Sequence, residues 1–287
     1  MTRLAVDVRR SIGFQAIALA GTTGAAQVIM AVLYILAARS SAPSEFGLVV
    51  AAIALATTAV GILDFGTNSY WTKELAGRRL STALLGKRLA SKMLYSALVL
   101  GGGSISAILW APSSSLWMVG PVAMALLINQ SFQVPLRGLG SGDLVAISIL
   151  FKKTIAAIVS VVLLTLKTPP ISALWLSITC GGLLSALLSW RLTPKASRPA
   201  LALRRATNPW SCSGHYGIAT VALTARSLAI PILSMFGGAS AAGVYAAVSR
   251  WTQPMSLLAR FYSRRYFFSY PWDFFSLQNG NNYVVRS

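Results

Sequence analysis

Residues 46–71 read FGLVVAAIALATTAVGILDFGTNSYW, and no charged side chain occurs in this stretch before Asp64. A helix needs about 20 apolar residues to cross the hydrocarbon core of a bilayer, so the stretch predicts a membrane-spanning helix. The whole chain has the same character, since 55% of its 287 residues are hydrophobic and 11% are charged. Soluble domains carry about 25% charged residues, and the composition therefore excludes an ordinary soluble enzyme.

Seven further apolar stretches of similar length surround this one. They predict an all-α polytopic membrane protein with about eight transmembrane helices. The fifth stretch has the shortest apolar core, 154–166, because we expect Lys152 and Lys153 to lie at its mouth. Together with 46–71, the predicted spans are 11–38, 93–110, 116–134, 147–166, 171–190, 216–236 and 241–261.

The chain is strongly basic, with 25 Lys and Arg against 6 Asp and Glu. These residues lie in short clusters between apolar stretches, whereas a nucleic-acid-binding surface is continuous. Nucleic acid is therefore not an expected partner. Cytoplasmic loops retain Lys and Arg, and the clusters predict a cytoplasmic N-terminus. The predicted cytoplasmic set is Arg3, Arg9, Arg10, Lys73, Arg78, Arg79, Lys87, Arg88, Lys92, Arg137, Lys152, Lys153, Arg191, Lys195, Arg198, Arg204 and Arg205, against Arg39 and Lys167 outside.

A weak internal repeat relates the first two spans to the last two. Residues 43–49 (PSEFGLV) align with 239–245 (ASAAGVY), which places Gly243 196 residues after Gly47. Such a period is typical of transporters built from two similar bundles. The predicted organisation is a six-helix N-terminal lobe at 11–190, a basic cytoplasmic linker at 191–215, the first two helices of a second lobe at 216–261, and an atypical aromatic and polar tail at 262–287.

These segments resemble a known family. Residues 36–48 (LAARSSAPSEFGL), 63–66 (LDFG) and 73–76 (KELA) look like the first two helices of the polysaccharide-transporter flippases, which move lipid-linked oligosaccharides across bacterial membranes. Residues 243–250 (GVYAAVSR) similarly resemble the eighth helix of these proteins. Their superfamily also contains the multidrug and toxin extruders, so export of a drug or metabolite is the alternative function.

The resemblance implies two six-helix lobes around a central cavity that opens to each side of the membrane in turn. It implies a bacterial cytoplasmic (inner) membrane location, a polyprenyl-pyrophosphate-linked oligosaccharide as substrate, and membrane lipids and polysaccharide assembly proteins as further partners. No cofactor is expected. A membrane enzyme is disfavoured, because the sequence has no paired carboxylates, no nucleotide site and no long loop.

Three charged residues inside predicted spans are candidate site residues. An arginine at the centre of a membrane helix costs about 2.5–3.5 kcal/mol on insertion scales, so it usually faces a partner or a wet cavity. Arg226 and Arg250 could hold the pyrophosphate by paired hydrogen bonds, or could pair structurally. Asp64 could be a countercharge or an ion-coupling site, or could cap or bend the end of its helix beside Gly66.

Amide side chains form a second candidate set. Asn129, Gln130 and Gln133 could bind sugar hydroxyls or could join neighbouring helices, and the site prediction includes Asn129 and Gln133 as substrate ligands. A metal site is not expected, because a metal needs three or four ligands and His215 has only Cys212 nearby.

The C-terminal end departs from the family pattern, which has twelve or more spans. Nine aromatic residues fall within 261–275, and the polar run 278–282 (QNGNN) follows them. This segment could lie in the membrane interface, or could be translated in a shifted frame. We expect an incomplete transporter whose family-like sequence ends near residue 260. Such a fragment would be inactive unless it oligomerises or pairs with a separately encoded remainder. The DNA downstream, read in the other frames, would test this.

Overall fold

The computed structural model describes residues 12–111, 114–199 and 207–267, with side-chain environments for 19–111, 114–199 and 207–249. Within these ranges the chain forms helices and short 3-10 turns, and no strands. The helices are α1 (Ile12–Arg39), α2 (Pro43–Asp64), α3 (Thr67–Ala76), α4 (Thr82–Trp110), α5 (Val119–Gly138), α6 (Gly142–Thr165), α7 (Pro170–Leu192), α8 (Gly214–Ala225) and α9 (Ala229–Phe267).

Seven stretches of the described residues are long and apolar enough to cross a membrane. The last of them, Gly214–Ser249, contains the seventh predicted span and the start of the eighth. It is interrupted by a 3-10 turn, Arg226–Leu228, and by Gly238, whose φ of 83° and ψ of 160° break the helix inside α9. The chain is therefore a multi-pass, all-helical membrane protein, as its composition predicts.

The second span is shorter than predicted. Helix α2 ends at Asp64, because Phe65 and Gly66 both adopt positive φ angles, 39° and 70°, and turn the chain. The Asp64 carboxylate then accepts hydrogen bonds from the Thr67 hydroxyl (3.0 Å) and the Asn68 backbone N–H (3.2 Å). These bonds satisfy donors at the beginning of α3, a ten-residue helix that replaces the predicted end of the span.

Two other spans begin earlier than predicted. Helix α4 begins at Thr82, where the Ser81 side chain accepts a hydrogen bond from the Leu84 backbone N–H (3.3 Å). Helix α6 begins at Gly142, and a rise of about 1.5 Å per residue puts Lys152 and Lys153 about 15 Å along it. Both lysines therefore lie well inside this helix and not at its beginning, while their position at the mouth of the span and the short core at 154–166 stay predictions.

Helix α2 lies between two groups of helices. On one side it packs against α5, which in turn packs against α7, while α1 packs against the α6–α7 pair. On the other side α2 packs against α8 and α9. The fully buried Val50 and Ala56 of α2 belong to the main hydrophobic core, so this helix joins the two groups.

The bundle has one basic end, defined as the end where α2 and α7 finish and α3 and α4 begin. The predicted position of Lys92 in a loop is wrong, because this residue lies inside α4 and is fully buried. The residues at 3, 9, 10, 204 and 205 lie outside the described part. The described basic residues at this end are Lys73, Arg78, Arg79, Lys87, Arg88, Arg137, Arg191, Lys195 and Arg198, and those at the opposite end are Arg39 and Lys167.

Candidate functional site

The two glycines of the internal repeat touch each other. A Cβ atom built on Gly47 would lie 1.8 Å from the backbone oxygen of Ala239, and one built on Gly243 would lie 2.4 Å from the backbone oxygen of Pro43. Each glycine therefore meets the residue four positions before the other glycine. Such a reciprocal contact is the pattern of a two-fold interface.

Neighbouring elements repeat the same relation. Helix α1 packs on α9, and its repeat counterpart α8 packs on α2. Gly238 follows Ala42 by 196 residues. Ala42 has non-helical backbone angles immediately before α2, and Gly238 has them immediately before the part of α9 that carries Gly243. These contacts support the repeat and make the boundary of α2 with α8 and α9 the region where the two repeated segments meet.

Arg226 lies at this boundary. It occupies the 3-10 turn between α8 and α9, and this turn packs against α2. Close approaches between Gly66 and Tyr216 at the basic end, and between Gly47 and Gly243 at the opposite end, place the turn between them. The Arg226 side chain is exposed and has no hydrogen bond or ion pair with any other described residue. The Arg250 backbone lies in α9, but its side chain is outside the described part.

Asn129 and Gln133 belong to a buried hydrogen-bond network between α5, α6 and α7. The Asn129 amide donates to the Ser185 hydroxyl (2.8 Å), and the Gln133 amide donates to the Ser148 hydroxyl (3.3 Å). The Gln133 carbonyl accepts a hydrogen bond from Arg137 (2.9 Å). In this conformation both side chains are used by neighbouring helices, and their contact with sugar stays a prediction.

Asp64 is buried and forms an ion pair with Lys92 of α4. The Lys92 ammonium also donates to the Thr67 hydroxyl (2.9 Å) and to the Asn68 side-chain oxygen (3.0 Å). The Trp71 ring lies on another side of it, with its centroid 5.3 Å from Nζ. Asp64 therefore has a lysine as its countercharge and caps the beginning of α3, while its role in ion coupling stays a prediction.

Aromatic side chains join the end of the linker to the basic end of α2, α3 and α4. The Trp210 indole donates to the backbone oxygen of Leu63 (2.9 Å), which lies in the last turn of α2, and its ring is 5.7 Å from that of Tyr95. Tyr216, near the beginning of α8, packs against Tyr70 of α3 at 6.0 Å. We call the four aromatic residues Tyr70, Tyr95, Trp210 and Tyr216 the aromatic clamp.

Lys92 and Lys152 are charges inside helices that sequence reasoning missed, because it placed Lys92 in a loop and Lys152 at the mouth of a span. The cap at Ser81 is the signal that could have placed Lys92 inside a helix. Gln130, His215 and Cys212 are exposed. The described residues contain no group of three His, Cys, Asp or Glu side chains that could hold a metal ion.

A scan against protein-family models adds an independent observation to this geometry. The model described as "Polysaccharide biosynthesis protein" matches residues 13–265, which is most of the chain. The chain belongs to this family. Members of the family are transporters rather than enzymes. No curated protein and no solved structure gives a significant match.

Proposed function

We propose that this member of the polysaccharide biosynthesis family carries a lipid-linked oligosaccharide across a bacterial cytoplasmic membrane. The observation that carries the proposal is the position of Arg226, an exposed cation between the two ends of the membrane bundle, at the boundary of the repeated segments. A guanidinium binds phosphate oxygens through paired hydrogen bonds. The pyrophosphate of a polyprenyl-linked sugar is the anion that such a transporter must move past the apolar core.

The interior charges favour an anionic substrate over a cationic drug. Among the described residues, Asp64 is the one acid of a membrane-spanning helix that does not lie in the first turn of that helix. Its charge is neutralised by Lys92. Lys152 and Arg226, by contrast, have no carboxylate partner among the described residues. Cations without a carboxylate partner attract anions, so export of cationic compounds by a related fold is the weaker candidate.

The general proposal is tested by deleting the gene and following lipid-linked intermediates. We expect them to accumulate on the cytoplasmic face and to be depleted on the outer face, with less surface polymer. Complementation with the intact gene is the control. An unchanged distribution across the membrane would contradict the proposal.

The role of Arg226 is tested in the complemented strain. Arg226→Ala should reduce surface polymer at unchanged protein abundance, and Arg226→Lys should restore little of it, because an ammonium cannot make the paired hydrogen bonds of a guanidinium. Arg79→Ala, which removes an exposed charge at the basic end, is the matched control and should have little effect. Normal polymer with Arg226→Ala would end the substrate-contact hypothesis.

A further inference from the structure

The Lys92 ammonium is surrounded by the kinds of chemical group that bind free cations in proteins. The ammonium donates to three oxygen acceptors, one for each of its protons. They are the carboxylate of Asp64, the hydroxyl of Thr67 and the side-chain amide oxygen of Asn68. An ammonium has three donors and no acceptor, so its hydrogen bonding is complete. The Trp71 face contributes a cation–π contact.

Two of the three oxygens, those of Asp64 and Thr67, have hydrogen bonds that do not involve Lys92. Thr67 donates to the Asp64 carboxylate (3.0 Å), and the Asn68 backbone N–H donates to the same oxygen (3.2 Å). The three ligands fall within five residues of sequence at the corner between α2 and α3. The corner thus brings the three oxygens together and positions two of them by its own hydrogen bonds, and the cation comes from a different helix.

A further oxygen lies one turn along α4. The Ser96 hydroxyl is fully buried and has no hydrogen-bond partner among the described residues. Residues four apart on a helix lie on the same face, so this hydroxyl is on the side of α4 that carries Lys92. Buried hydroxyls are normally paired, so Ser96 is a further polar group available on this face of α4.

We propose that Asp64, Thr67 and Asn68 form a monovalent-cation site whose resident cation is the Lys92 ammonium. The single carboxylate balances one positive charge, which favours Na⁺, K⁺ or ammonium over a divalent ion. In the native chain the tethered ammonium fills the site, and a dissolved cation would have to displace it. The site would become available to small dissolved cations when the ammonium is removed.

The experiment measures thermal unfolding of the purified full chain in detergent with Lys92→Ala, in choline, sodium, potassium and ammonium chloride at equal ionic strength. Lys92→Ala should unfold at a lower temperature than wild type in choline. Its midpoint should rise by several degrees in at least one of the three small cations, and should increase with the logarithm of cation concentration above the dissociation constant. Wild type should show the same midpoint in all four salts.

The matched control is the double variant Asp64→Asn/Lys92→Ala, which removes the carboxylate as well and should not respond to the small cations. Equal midpoints of Lys92→Ala in all four salts would overturn the proposal, and so would an equal response of the double variant. Failure to recover folded Lys92→Ala from any salt would also overturn it, because a free cation should then replace the ammonium. The measurement needs no transport assay, so its outcome is independent of the proposed substrate.

Discussion

Ser148 of α6 is the centre of the buried network described above. Its hydroxyl lies 3.0 Å from that of Ser185 and 2.7 Å from that of Ser189, and it accepts from Gln133. Ser148→Ala would remove three interior hydrogen bonds and leave the Ser189 hydroxyl without its partner, and an unsatisfied buried group costs about 1–3 kcal/mol. We expect a lower free energy of unfolding, measured by chemical or thermal unfolding in detergent.

Ser131→Ala is the matched control for this prediction. Ser131 is equally buried on α5, but its hydroxyl has no hydrogen-bond partner among the described residues. Removing it should leave stability unchanged or slightly raised, because no partner loses its bond. Equal losses for the two variants would mean that the network around Ser148 does not stabilise the bundle.

At the scale of single residues, the sequence predicts which positions are unusual and not what they contact. Asp64, Asn129 and Gln133 stand out as polar residues in apolar helices, and all three are buried. Their partners Lys92 and Ser185 lie 28 and 56 residues away along the chain. Hydropathy and spacing report only local patterns, and a contact between distant helices depends on packing that a single sequence does not express.

The crossing of α2 and α9 gives a prediction at the scale of elements. Gly47→Ala should weaken or separate this pair, because its Cβ would collide with the Ala239 backbone oxygen. Overpacking of this kind costs about 1–3 kcal/mol, and backbone atoms can move aside less easily than side chains. The loss is measurable by thermal unfolding in detergent.

Gly101→Ala in α4 is the control, because no atom lies within 4 Å of the place that a Cβ would take there. Alanine favours a helix over glycine by about 1 kcal/mol, so this change should be neutral or stabilising. If Gly47→Ala were tolerated as well as Gly101→Ala, the close approach of α2 and α9 would be refuted.

The aromatic clamp gives a second element-scale prediction. Trp210→Phe keeps a ring beside Tyr95 but removes the hydrogen bond to the Leu63 backbone oxygen, which should cost about 1 kcal/mol. The control is Trp110→Phe. The Trp110 side chain is 89% exposed, so this change should leave the unfolding midpoint unchanged. Indistinguishable unfolding midpoints for the two variants would remove the clamp as a stabilising contact.

The sequence predicts the membrane-spanning helices better than it predicts contacts between single residues. Apolar length finds the spans, because each must cover the width of a bilayer. It fails where interior charge is mistaken for a boundary, as at Lys92, whose long apolar stem can be buried. It also misses the break at Phe65, since an apolar run continues through a turn that depends on backbone angles.

Orientation in the membrane is a prediction about the whole molecule. The basic end carries nine described Lys and Arg residues against two at the opposite end, so it should be cytoplasmic. Cys212 is exposed near this end, and in a Cys180→Ser background an impermeant maleimide should label it only after the cells are permeabilised. The loops near Arg78 and Arg198 should behave in the same way when a cysteine is introduced there.

A cysteine at the opposite end completes the test. Ser44→Cys, in a chain without Cys180 and Cys212, should react in intact cells, because Ser44 is exposed at the beginning of α2. Labelling of Cys212 in intact cells, with protection of the cysteine at position 44, would reverse the topology. The lobe boundaries at 190 and 216 remain predictions from the repeat.

The reciprocal contact between Gly47 and Gly243 also limits which substitutions this boundary can accept. A side chain at either position would meet a backbone oxygen of the other segment. Because backbone atoms cannot be made smaller by mutation, a change at one glycine is not compensated by a change at the other. The two segments can therefore differ at most positions while both of these require glycine.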